Sequence, residues 1–87
     1  MRTGTEIAAE VLDQVRMLAA GCGHPDAEVA PDDCLPDTGL LDSAAIIELV
    51  TWVELHYDIL IPTEDIVIET LGSVRSIAAY VSARLAA

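Results

Sequence analysis

The chain has no phenylalanine, and aromatic residues make up 3% of its 87 positions. Any core must therefore be built from Ile, Val, Leu and Ala, a set that suits packed helices. Basic residues are equally scarce: four face fifteen acidic ones, for a net charge of −11 and a pI near 4.1. That balance excludes nucleic-acid binding, because a phosphate backbone is held by Lys and Arg. It also disfavours anionic membrane surfaces, and it calls for partners that present basic patches. No apolar run reaches the length of a membrane span, so membrane insertion is not expected. The opening residues, Met1-Arg2-Thr3-Gly4-Thr5-Glu6, turn polar and acidic at once and do not read as a secretory signal; a cytoplasmic protein is expected. There are two cysteines, Cys22 and Cys34. With no export signal a disulfide is not the default. Cys22, His24 and Cys34 lack a fourth ligand at zinc-site spacing, so free thiols are expected and no metal.

What is present is enough apolar surface, 53% of residues, for the core of one small domain. A first helix is predicted over about residues 5–20, with Ile7, Val11, Val15 and Leu18 on its buried face. Thr3 with Glu6 fits a capping box, Thr5 is the rival cap, and Gly21 and Gly23 stop the helix. From residue 22 to 42 no period holds. Pro25, Pro31, Pro36 and a scatter of aspartates give a long loop, which Val29 and Leu35 should pin to the core. The loop's acids do not follow the alternating ligand pattern of a calcium loop.

Gly39-Leu40-Leu41-Asp42-Ser43 closes that loop and opens a second helix, predicted from residue 43 to about 57. Ile46, Val50, Val53 and Tyr57, with Leu49 alongside, form its expected buried stripe. Ala44, Glu48, Thr51 and Leu55 face outward, with Trp52 at the edge. Trp52 and Leu55 either belong to a docking surface or pack against the loop or another helix. Residues 58–62 read as a short extended turn. A short third helix is expected from Thr63-Glu64-Asp65, with Ile66 and Ile68 closing the core. Ser73 should cap a last helix to about residue 85, with Val74, Ile77, Val81 and Leu85 buried. The sum is an all-α, four-helix bundle.

Catalytic sets are missing. Nothing in the sequence brings His24 or His56 beside Ser43 with an orienting carboxylate, and no phosphate-binding Gly loop is present. A non-enzymatic role is expected. Ser43 stands at a loop–helix junction. Unpaired backbone N–H groups and the helix dipole there favour a phosphate ester, although a serine in that place can equally be a plain helix cap.

Gly39-Leu40-Leu41-Asp42-Ser43, then Ile47-Glu48-Leu49-Val50, then Tyr57-Asp58-Ile59-Leu60-Ile61-Pro62, resembles the acyl carrier and peptidyl carrier proteins, over essentially the whole chain. The resemblance implies a four-helix bundle of that type, a single carrier domain over residues 1–87, and a long loop between the first two helices. It implies 4'-phosphopantetheine esterified to Ser43 by a phosphopantetheinyl transferase, with Asp42 the acid before the attachment serine. The implied function is a monomeric acyl or aminoacyl carrier in polyketide or nonribosomal peptide biosynthesis. A loading ligase and a downstream acyltransferase or synthase would be its other partners. Ala44, Glu48, Thr51, Trp52 and Leu55 make the expected partner face. Two of these depart from the family pattern: Ala44 stands where a bulky apolar residue is common, and Thr51 where Met is common. The Leu-Leu-Asp-Ser form is closer to discrete D-alanyl, aminoacyl and specialised polyketide-extender carriers than to the fatty-acid carrier. The alternative is a helical interaction module in which Ser43 is only a cap or a phosphorylation site.

Overall fold

A computed structural model describes residues 3–86. Its elements are α1 (Gly4–Gly21), α2 (Leu35–Thr38), α3 (Ser43–Tyr57), a 3₁₀ turn (Thr63–Asp65), α4 (Ile68–Leu71) and α5 (Val74–Ala86). All regular elements among the described residues are helical, as the aliphatic composition implies. Three long helices carry most of the core; of the two one-turn helices, α2 adds the buried Leu35 and α4 buries none of its residues.

α1 starts where the sequence says it should. The Thr3 hydroxyl accepts from the Glu6 N–H at 3.1 Å, and the Glu6 carboxylate accepts from the Thr3 N–H at 3.3 Å. Thr5 is inside the helix and is not the cap. Ile7, Val11, Val15 and Ala19 are buried, while Leu18 is only half-buried. The strict i+4 row therefore faces inward, and Ala19, not Leu18, ends it. α1 packs against both α5 and α3.

The connection over residues 22–42 is less bare than expected. Val29 and Leu35 are buried, as anticipated, and Leu41 joins them. Leu35 also begins α2, a single turn that the proline-rich sequence conceals. Pro36 sits in the first turn, where its missing N–H is harmless, and Gly39 ends the turn in the left-handed region at φ 72°. The Leu35 N–H donates to the Gly72 carbonyl at 2.7 Å and the Arg75 N–H to the Pro31 carbonyl at 2.9 Å, so the connection is tied to the start of α5.

α3 has the expected bounds but a different rotation. Ala45, Leu49, Val53 and Tyr57 are buried, whereas Ile46 and Val50, expected inside, are half-buried. The reason is composition: Ala45, Ile46, Ile47, Leu49, Val50 and Val53 leave most of the helix circumference apolar, so the pattern does not fix which row turns inward. Ile46 and Val50 instead line an apolar cleft of about 180 Å³, with Leu71 and Ile77 on other walls.

The region after α3 also differs from expectation. The third helix is split into the 3₁₀ turn and α4, and Ile66 and Ile68 are exposed at the cleft rim and do not close the core. Val67, between the two pieces, is extended. In α5 the Ser73 hydroxyl accepts from the Ser76 N–H at 3.1 Å, which is the predicted start. Val74, Ile77, Ala78 and Val81 are buried. Leu85, placed inside by its spacing, is exposed because it lies on the last turn, at the end of the bundle.

Candidate functional site

The site is built by one turn and one helix end. Gly39 supplies the positive φ that turns the chain after α2. The Thr38 hydroxyl donates to the Leu35 carbonyl at 2.7 Å and accepts from the Leu40 N–H at 3.2 Å, which stiffens that turn. Leu41 then anchors it from inside the core. Asp42 follows with extended backbone (φ −81°, ψ 176°), and its carboxylate accepts from the Ala45 N–H at 2.7 Å. Asp42 is thus the cap, and Ser43 is the first residue of α3.

This division of labour leaves Ser43 exposed, with no hydrogen bond to its hydroxyl from any described residue. The other serines are all engaged or enclosed: Ser73 and Ser76 bond each other at 3.1 Å, and Ser82 Oγ is buried. The Ala45 N–H is taken by the Asp42 side chain and the Ile46 N–H by the Asp42 carbonyl, which leaves the Ser43 and Ala44 N–H groups at the helix end for an anion. Their dipoles and the α3 macrodipole favour a phosphodiester on Ser43 Oγ. The residues present fit such a group.

The residues expected around it fall on one side of α3. Ala44, Glu48, Thr51 and Leu55 are exposed, Leu55 to 79%. Trp52 is half-buried. Its ring stacks on His56 at 4.6 Å and meets Tyr57 edge-on at 5.7 Å, and it packs on the core. His56 in turn lies 3.6 Å from Glu10 of α1, which accepts from the Tyr57 hydroxyl at 2.8 Å. Ile47 was not among the expected partner residues, yet it is 66% exposed. Ser43, Ile47 and Thr51 are spaced by four along α3, so they share a stripe. That spacing was the available signal. It was hidden because a rotation placing Ile46 inside gives Ile47 no part in the outward row.

Cys22 and Cys34 are both free thiols and half-buried, Cys22 just after α1 and Cys34 just before α2. Among the described residues no group of three or more His, Cys, Asp or Glu is placed to hold a metal ion. No helix among them is long and apolar enough to cross a membrane.

Comparison with known proteins agrees with the helical architecture. Residues 5–81, from the first turn of α1 to the third turn of α5, match the family described as "Phosphopantetheine attachment site". No curated protein and no solved structure matches the sequence. Proteins of the matched family carry a covalently attached 4'-phosphopantetheine, and their carrier domains are in general not themselves catalysts. The chain belongs to this phosphopantetheine-binding family of acyl and peptidyl carrier proteins.

Proposed function

We propose that Ser43 is the attachment residue and that residues 1–87 form one carrier domain. It holds an acyl or aminoacyl group as a thioester and presents it to partner enzymes of polyketide or nonribosomal peptide biosynthesis. The observation that carries this reading is the state of Ser43: an exposed hydroxyl at the first position of a long helix, with the neighbouring Asp42 doing the capping. A serine that served only as a cap would be the residue bonded to the helix N–H groups. The bound group supplies a long arm ending in a thiol, and thioester chemistry happens there. The chain's own residues do the rest. The Ser43 and Ala44 N–H groups receive the phosphate charge, Asp42 holds the helix end in place, and Leu41 fixes the approach to it.

Ala44, Ile47, Glu48, Thr51 and Leu55 form the partner face in this reading, with Trp52 at its border. Ile47 supplies the bulky apolar contact that Ala44 cannot. Carriers of this family are modified by a phosphopantetheinyl transferase and meet synthases or ligases. Glu48, beside the apolar residues, suits a basic group on those enzymes.

Intact mass after incubation with coenzyme A and a broad-specificity phosphopantetheinyl transferase tests the proposal. The wild type should gain one phosphopantetheine group and Ser43→Ala none. Equal labelling of the two proteins would sink it and favour the interaction-module alternative.

A further inference from the structure

Leu35, Thr38 and Leu40 are joined through one hydroxyl. Thr38 Oγ1 donates its proton to the Leu35 carbonyl at 2.7 Å and accepts from the Leu40 N–H at 3.2 Å. A hydroxyl can do both at once, and an aliphatic side chain of the same shape can do neither. The two bonds bridge Gly39, which stands in the left-handed region at φ 72°. Glycine has more backbone freedom than any other residue, so a turn built on it needs a lock. Side-chain packing supplies none at Gly39 itself: apart from its chain neighbours, no atom lies within 4 Å of where its Cβ would stand.

The chain is anchored on both sides of this turn. Before it, the Leu35 N–H donates to the Gly72 carbonyl at 2.7 Å and the Thr38 N–H to the Cys34 carbonyl at 3.1 Å. After it, Leu41 is buried and the Asp42 carboxylate caps α3. Gly39, exposed, and Leu40, half-buried, are the span between those fixed ends, and Ser43 follows closely. An enzyme that closes on the Ser43 hydroxyl covers many residues around it, so it meets this span as well.

We propose that Thr38 is a positioning residue for the modification of Ser43. Its hydroxyl keeps Gly39 and Leu40 in the one arrangement on which the transferase docks. This role rests on the reading of Ser43 as the attachment residue. Without the hydroxyl the span samples other arrangements, and the apparent affinity for the transferase falls with the fraction of chains that stay competent. Once the enzyme has docked, Ser43 meets the same chemistry, so turnover is kept.

Steady-state loading of the full chain by a broad-specificity phosphopantetheinyl transferase, with coenzyme A saturating and the chain varied, tests this. Thr38→Val should raise KM for the chain about tenfold, the scale of losing one or two neutral hydrogen bonds, and leave kcat unchanged. Thr38→Ser keeps the hydroxyl and should bring KM back close to the wild-type value. In Thr38→Val the Leu40 amide should exchange with solvent about tenfold faster, while the Val11 and Val15 amides of α1 keep their rates. Gly39→Ala leaves Thr38 in place but strains the left-handed turn, so it should raise KM too and carries the test if Thr38→Val folds poorly. Equal KM values for wild type and Thr38→Val would overturn the role of Thr38. So would a Thr38→Ser protein as impaired as Thr38→Val, or α1 amides that speed up as much as Leu40. A wild type that takes no label would instead overturn the reading of Ser43.

Discussion

Asp42 and Ser43 are adjacent and do different work. The Asp42 carboxylate accepts from the Ala45 N–H and so does the capping, which leaves the Ser43 hydroxyl out of that role. Asp42→Ala should lower stability by about 1 kcal/mol, the usual worth of such a cap, read from denaturant unfolding. The rotation of α3 is testable residue by residue. Leu49→Ala should cost about 2–5 kcal/mol because its side chain is enclosed. Val50→Ala should cost less, since Val50 faces the cleft. Ile47→Ala and Glu48→Lys should each change stability by no more than about 0.5 kcal/mol, as exposed residues do. Both should still slow loading of Ser43, followed by intact mass. If Leu49→Ala proved neutral and Val50→Ala severe, the inward row would be wrong.

At the scale of elements, α3 meets α1 along a polar and aromatic seam, and a Tyr80 hydrogen bond joins α5 to the 3₁₀ turn. In the seam, Trp52 stacks on His56 while Tyr57 bonds Glu10. Trp52→Ala should therefore lower the Tm, and loading should fall only as far as the unfolded fraction rises. A large loss of loading at an unchanged Tm would instead make Trp52 a partner contact. The Tyr80–Asp65 contact has a pH signature. Burial first, and the hydrogen bond to Asp65 next, push the Tyr80 phenol above its ordinary value near 10. Folding thus favours the protonated phenol. The stability this gives is fully present below the ordinary phenol value and is lost as pH rises through the raised one. Thermal melts from neutral pH upward should show the wild type losing stability more steeply than Tyr80→Phe above about pH 10, where the free phenol begins to ionise. Parallel curves would mean that Tyr80 ionises without cost to the fold.

At the scale of the whole molecule, the charge of −11 is spread over a body of 37 × 25 × 21 Å. Two of the four basic residues are already engaged, Arg75 with Asp32 at 2.7 Å and Arg84 with Tyr80. The field a partner meets is therefore strongly negative, and long-range attraction should speed its approach. Raising the salt from low to physiological concentration should slow association with the transferase, measured by stopped-flow, because the screening length contracts to about 8 Å. An association rate indifferent to salt would count against steering.

The sequence by itself determined the helical class, the bounds of the long helices and the loop–helix junction at Ser43. These rest on local chemistry: the Thr3–Glu6 box, the Asp42-Ser43 pair after Gly39, and the aliphatic periodicity of α1 and α5. Tertiary structure alone decided which row of α3 turns inward, because that helix is apolar on most sides and only its neighbours choose between Leu49 and Val50. It also decided that Ile66 and Ile68 rim a cleft and do not fill a core, that α2 forms within a proline-rich connection, and that Ile47 stands beside Ser43 on the open side. The Tyr80–Asp65 bond spans fifteen positions between elements whose own patterns do not mention each other. Such pairings follow from packing, where long-range geometry, not local propensity, sets the partner.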